Sequence, residues 1–142
     1  MKTHKLLIGA ALAGLLLAPA PVLAADLPGE ISMAWIHVDL AARANDIHVV
    51  QYHLHHTLNC LVGPGGAGFD AKSLNPCADL GHGVIPDSSD AAKKAKFEAA
   101  AASARLGLAA SDLATAQKNA QDAAAILKTF GGSAGGGSMT SY

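Results

Sequence analysis

The stretch of sequence that decides the fold is residues 30–61, EISMAWIHVDLAARANDIHVVQYHLHHTLNCL. Its large apolar residues recur at steps of three and four, the spacing of one face of an α-helix. They are Ile36, Leu40, Ile47, Val50, Leu54, Leu58 and Leu61. Arg43 falls in the one gap of this pattern, and Gly63-Pro64 ends it. The sequence therefore predicts one long amphipathic helix over residues 30–61.

A second helical region follows a loop. Residues 62–87 are rich in glycine and proline, which favour turns. Residues 88–130 are rich in alanine, the strongest helix former, and Asp87 to Ser89 offer N-caps. We therefore expect a Gly/Pro loop over residues 62–87 and an Ala-rich helix over residues 88–130, which Gly107 or Ser111-Asp112 could split.

The predicted fold class is all-α. Two helices joined by a loop form an antiparallel helical hairpin, and a break near Gly107 would turn the hairpin into a three-helix bundle. Alanine faces allow helices to approach closely but bury little apolar area, so the core of such a chain is thin. A homodimer that forms a four-helix bundle would bury more, and we expect this assembly.

The two cysteines, Cys60 and Cys77, are predicted to form a disulfide that staples the loop to the end of the first helix. The alternative is a pair of metal-binding thiolates. Their spacing is not that of a Cys-x-x-Cys motif, and an exported protein meets an oxidising compartment, so the disulfide is favoured.

The N-terminal residues are typical of an export signal. Lys2 and Lys5 precede an apolar run over residues 6–17, and Val22-Leu23-Ala24 offers a small-x-small cleavage site. The run is shorter than the roughly 20 apolar residues that a membrane-spanning helix needs. We therefore expect residues 1–24 to be a cleaved signal peptide and the mature protein to be periplasmic or secreted.

The mature chain is predicted to be one helical domain over residues 25–130 with a disordered Gly/Ser tail over residues 131–142. It has no second long apolar run, so we expect no membrane span. After the signal peptide, 8 of the 10 basic residues remain against 11 acidic ones, a formal charge of −3 with neutral histidines. Because a nucleic-acid-binding surface needs a clustered basic patch, we expect no nucleic-acid partner.

The histidines are the residues that point to chemistry. Six follow the signal peptide: His37, His48, His53, His55, His56 and His82. On one continuous helix, with about 100° per residue, His37, His48 and His55 share a stripe. His53 and His56 lie on the other flank, one turn apart, so both imidazoles can bind one metal ion.

These positions predict a metal site at the C-terminal end of the first helix. His53 and His56 form its core, the disulfide draws His82 towards it, and a symmetry-related copy gives His55 a partner. Imidazole ligands suit Cu(II), Zn(II) and Ni(II) ions. The chain lacks catalytic motifs such as Gly-x-Ser-x-Gly, so we expect a metal buffer or chaperone without enzymatic activity.

Two other functions stay open from the sequence. The first is a structural or protein-interaction module without a cofactor, in which the histidines lie on a solvated surface. The second is electron transfer by a b-type haem, with His48 or His55 as the axial ligand. A covalent c-type haem is excluded by the lack of a Cys-x-x-Cys-His motif.

Residues 52–64, YHLHHTLNCLVGP, together with residues 68–70 and 75–77, form a His- and Cys-bearing unit on an exported helical chain. In this character the chain resembles the small helical metal-binding proteins of the bacterial periplasm. The resemblance covers the helices and implies metal binding. Members of that group carry histidines through the whole chain, whereas the second predicted helix here has none, so no residue role is taken from it.

Overall fold

The computed structural model describes residues 24–131. It contains four long helices and one short one: α1 (Leu27–Arg43), α2 (Ile47–Val62), α3 (Val84–Asp87), α4 (Ala91–Ala109) and α5 (Leu113–Lys128). No strand occurs within this range, which confirms the all-α prediction. The predicted signal peptide (residues 1–24) and the predicted Gly/Ser tail (residues 131–142) lie outside the described residues except for residues 24 and 131.

Each long helix begins at an aspartate. The four N-caps are Asp26, Asp46, Asp90 and Asp112. Their side chains accept hydrogen bonds from backbone N–H groups of the first turn, with distances of 2.8 to 3.2 Å. These N–H groups have no partner inside the helix, so each cap stabilises its helix by about 1 kcal/mol. The Ala-rich helix is capped by Asp90 rather than within the predicted Asp87 to Ser89.

The predicted single helix over residues 30–61 is wrong, because the chain breaks at residues 44–46. Ala44 is extended and Asp46 caps α2, so α2 turns back antiparallel to α1. The break is also held from outside, since the Gln117 side chain of α5 donates a 2.6 Å hydrogen bond to the carbonyl of Ala44. Because the apolar spacing continues across residues 44–46, this spacing did not reveal the break.

The predicted helix over residues 88–130 is likewise two helices, with the break at residues 110–112. The Ser111-Asp112 pair named from the sequence is where it splits, because Asp112 caps α5. Gln51 of α2 donates to the carbonyls of Leu108 and Ala110, both at 3.2 Å. Thus α5 donates a hydrogen bond to a carbonyl in the turn between α1 and α2, and α2 donates one to a carbonyl in the turn between α4 and α5. Residues 24–131 therefore form a four-helix bundle rather than a two-helix hairpin or a three-helix bundle.

In the bundle, α1 packs against α2 and α5, and α4 packs against the same two helices. Leucines of α2 meet Phe97 of α4 and Leu127 of α5 in the core. Most remaining core positions on α4 and α5 are alanines: Ala100, Ala101, Ala104, Ala116, Ala120 and Ala123. Small side chains let these helices approach closely. A homodimer was expected as the way to form a four-helix core, but one chain forms such a core by itself. The homodimer stays a prediction.

The loop between α2 and α4 is tied to the bundle by a disulfide and a buried amide. Cys60 and Cys77 are bonded, with their Cα atoms 5.2 Å apart, which confirms the predicted pairing. The Asn59 side chain accepts from the Asp70 N–H at 2.8 Å and donates to loop carbonyls. The loop is not structureless, because it contains several hydrogen-bonded turns and the one-turn helix α3.

None of the helices between residues 24 and 131 combines the length and apolar character needed to cross a membrane.

Candidate metal centre

Three histidine side chains meet in the seam between α1 and α2. His37 comes from α1, and His53 and His56 come from successive turns of α2. Nδ1 of His37 lies 3.2 Å from Nδ1 of His53 and 3.4 Å from Nδ1 of His56. One ligand nitrogen from each residue lies within 4.8 Å of the other two. We call these three residues the His cluster, and its geometry can hold one metal ion.

Hydrogen bonding alone does not satisfy the two short contacts of His37. A ring nitrogen of a neutral imidazole carries either one hydrogen or one lone pair in the ring plane. Nδ1 of His37 can therefore make one good hydrogen bond, to His53 or to His56. Nitrogens bound tetrahedrally to zinc at about 2.0–2.1 Å lie roughly 3.3 Å apart. The observed 3.2 and 3.4 Å are close to this spacing.

The His cluster is held in the neutral form that metals bind. Burial, with smaller contributions from His56 and His53, lowers the pKa of His37 to about 4. Burial also lowers the pKa of His53, and burial together with its histidine neighbours lowers the pKa of His56. Because a metal competes with protons for imidazole nitrogen, neutral rings at neutral pH are ready ligands.

Packing around the cluster restricts the rings of α2. The Tyr52 ring lies edge-on to both, with centroids 4.2 Å from His56 and 5.2 Å from His53. His56 is 1% exposed, and its Nε2 is buried without a hydrogen-bond partner among the described residues. His37 and His53 are half-buried, so the cluster reaches solvent on their side.

The structure brings together only part of the set expected from the sequence. His53 and His56 lie in the cluster. His82 lies outside the cluster. Its backbone carbonyl lies against Gly63 at the C-terminal end of α2, and its Nδ1 is 3.1 Å from Oδ1 of Asp87. His56 is seven residues before Gly63 at that end, about 10 Å along the axis. The disulfide draws His82 to the helix end but not to the histidines.

His55 also lies outside the cluster. Its Nδ1 is 3.4 Å from Oδ2 of Asp70, on the side of α2 away from His53. The stripe of His37, His48 and His55 inferred from a continuous helix does not exist, because the break at residues 44–46 changes the direction of the chain. His48 is exposed near the start of α2, and a haem ligand role for His48 or His55 stays a prediction.

The sequence did not identify His37 as a member of the His cluster. On a continuous helix, His37 and His53 would be about 24 Å apart at 1.5 Å per residue. The signal that could have found the pair is Asn45-Asp46 between two apolar repeats, since Asp is a preferred N-cap. A turn there places residues 37 and 53 at similar distances from the break, and hence beside each other.

Comparison with protein-family models, with curated proteins and with solved structures finds no match for this chain. The site itself therefore has to carry the functional argument.

Proposed function

We propose that this protein binds one divalent transition-metal ion through His37, His53 and His56 and serves as a metal buffer or carrier. The observation that carries the proposal is the convergence of three imidazole nitrogens at distances of 3.2 and 3.4 Å on two different helices. A nitrogen-only donor set suits Cu(II), Zn(II) or Ni(II) rather than Mg(II) or Ca(II), which prefer oxygen ligands.

The proposal includes export. The signal peptide expected at residues 1–24 and the disulfide both fit an oxidising compartment, periplasmic or extracellular. With its cysteines joined, the chain offers no thiolate to compete for the metal within residues 24–131. A nitrogen site on a stapled bundle then suits storage or transfer of the metal rather than turnover.

Calorimetric titration of the metal-free protein with Zn(II) and Cu(II) tests the proposal. We expect one ion per chain, and we expect His37→Ala and His53→Ala each to weaken binding by 10-fold or more, because each removes one of three ligands. His48→Ala and His82→Ala are the matched controls and should titrate like wild type. The proposal fails if wild type and His37→Ala bind equally, or if binding is weaker than about 100 μM.

One observation favours a second candidate, a protein-interaction module. Four large apolar side chains of α1 and α2 are exposed: Ile36, Leu40, Val49 and Tyr52. Contiguous exposed apolar residues are typical of contact surfaces. Under this alternative, Leu40→Asp would abolish a stoichiometric complex in a pull-down.

A further inference from the structure

The His cluster supplies three imidazole donors, and no imidazole, thiolate or carboxylate joins them as a fourth in the described part of the chain. Among residues 24–131, no other histidine, cysteine, aspartate or glutamate has a ligand atom within 4.8 Å of all three. Divalent zinc and cobalt in proteins take at least four ligands, and three-histidine sites complete the set with a solvent molecule or substrate. The donor count therefore leaves one coordination position for a ligand from outside the chain.

The charge of the surroundings indicates what that ligand is. All three donors are neutral imidazoles, so a bound divalent ion keeps its two positive charges. The helix α2 contains no acidic residue. On α1, Asp39 pairs with Arg43, and Glu30 is buried two turns from His37, where it accepts a hydrogen bond from Gly83. Acidic side chains on both helices are therefore absent or engaged elsewhere, and the uncompensated charge favours an anion.

The seam around the cluster is accessible and uncharged. Leu40 follows His37 by three residues and Val49 precedes His53 by four, so each shares a face with its histidine. Both leave much of their surface exposed, and Tyr52 beside the imidazoles is 57% exposed. None of these three rim side chains carries a charge that would compete with the metal ion for the anion.

From these observations we infer that the metal-loaded His cluster binds one small monodentate anion at an exchangeable fourth position, on the side of Leu40 and Val49. This inference rests on the proposed metal binding and names the ligand class that the same site accepts. In the exchange one bound water leaves as one anion enters, and no electron is transferred. The same position gives a donor from a receiving molecule a place to bind before the imidazoles release the metal.

Cobalt(II) is the probe, since its visible absorption bands report its coordination. We expect one equivalent added to the metal-free full chain to produce these bands, and azide to shift them with a one-to-one, saturable dependence. If the bands form but neither azide nor cyanate moves them, the anion inference is overturned and the metal centre stands. If calorimetry detects no binding of Zn(II), Cu(II) or cobalt(II), the proposed function falls together with the inference.

Two variants locate the anion. Leu40→Glu places a carboxylate on the rim, and we expect it to weaken azide binding about five-fold, as a nearby like charge does. Leu106→Glu is the matched control, because Leu106 is also an exposed leucine but lies on α4, away from the seam, and should leave azide binding unchanged. Equal azide affinities in the two variants would overturn the assigned position.

Discussion

Nδ1 of His37 and Nδ1 of His53 lie 3.2 Å apart although sixteen residues separate them along the chain. The contact exists because α1 and α2 are joined by a short turn and run antiparallel. Any ion bound to both residues therefore ties the first two helices of the bundle together, so metal binding and the stability of the α1–α2 hairpin are thermodynamically linked.

Glu30 is predicted to make the bundle less stable as the pH rises through neutrality. Burial is the main cause that raises its pKa from 4.5 to about 7, with Asp87 adding to the shift and the Gly83 N–H opposing it. One carboxyl oxygen accepts from Gly83 at 2.8 Å, and the other is buried without a hydrogen-bond partner among the described residues. The folded chain thus holds a proton that the unfolded chain has already lost.

Because the folded chain binds one more proton than the unfolded chain, the free energy of unfolding decreases as the pH rises. The contribution of Glu30 is fully present below pH 4.5 and is lost as the pH rises through about 7. Urea unfolding between pH 4.5 and 8 measures it. Glu30→Gln, which cannot ionise, should remove this decline, whereas Glu98→Gln, at an exposed position of α4, should keep it. Identical pH profiles for wild type and Glu30→Gln would contradict the prediction.

His37 is predicted to make the metal-free bundle less stable as the pH falls, the opposite of the effect of Glu30. Its pKa is lowered from 6.5 to about 4, chiefly by burial. The unfolded chain therefore takes up a proton below pH 6.5 that the folded chain refuses, and stability is lost as the pH falls towards 4. In the Glu30→Gln background, His37→Gln should make this acid loss shallower, whereas exposed His48→Gln should not. Unfolding followed with a chelator present from pH 4 to 7 is the measurement.

Gly63 is predicted to tolerate no side chain. Its φ is +65°, which L-residues rarely adopt, and a Cβ there would lie 1.5 Å from the carbonyl oxygen of His82. Gly65 also has a positive φ, +84°, but a Cβ there meets nothing within 4 Å. Gly65→Ala should therefore cost only the backbone strain of about 1–2 kcal/mol. Gly63→Ala should cost clearly more in thermal unfolding, and equal losses would show that the approach of His82 is not limiting.

Asn59 is predicted to hold the loop to α2. It is fully buried, its Oδ1 accepts from the Asp70 N–H, and its Nδ2 lies 2.9 to 3.3 Å from the carbonyls of Asp70, Ser73 and Leu74. Asn59→Ala leaves these buried backbone groups without a partner, at about 1–3 kcal/mol for each group that water cannot reach.

The expected total for Asn59→Ala is about 3 kcal/mol in the free energy of unfolding, measured by denaturant titration. Asn119→Ala is the control, because that amide donates only to the Thr115 carbonyl within its own helix, and the change should cost little. A loss below 1 kcal/mol for Asn59→Ala would mean that the disulfide alone positions the loop.

Local signals in the sequence were sufficient for several features. Apolar spacing identified the helical regions, and the two cysteines in an expected exported chain predicted the Cys60–Cys77 bond. The split at Ser111-Asp112 was recognisable because Asp112 is a strong N-cap. The pairing of His53 with His56 was also readable, since both lie on one helix, where the spacing of residues fixes their distance.

The break at residues 44–46 and everything that depends on it needed the tertiary structure. Helix periodicity reports which face of a helix is apolar, but it continues unchanged through a turn of suitable length. Whether the chain bends there is decided by the packing of all four helices and by contacts such as Gln117 with Ala44, which come from residues distant in sequence.

The sequence by itself thus determined the helical regions, the disulfide and a histidine pair, because each depends on residues close along the chain or on a single choice of partner. Only the tertiary structure decided that His37 completes the cluster and that His55 and His82 lie outside it. The physical reason is that a metal site needs ligand atoms a few ångströms apart, and this depends on how antiparallel helices align in the bundle.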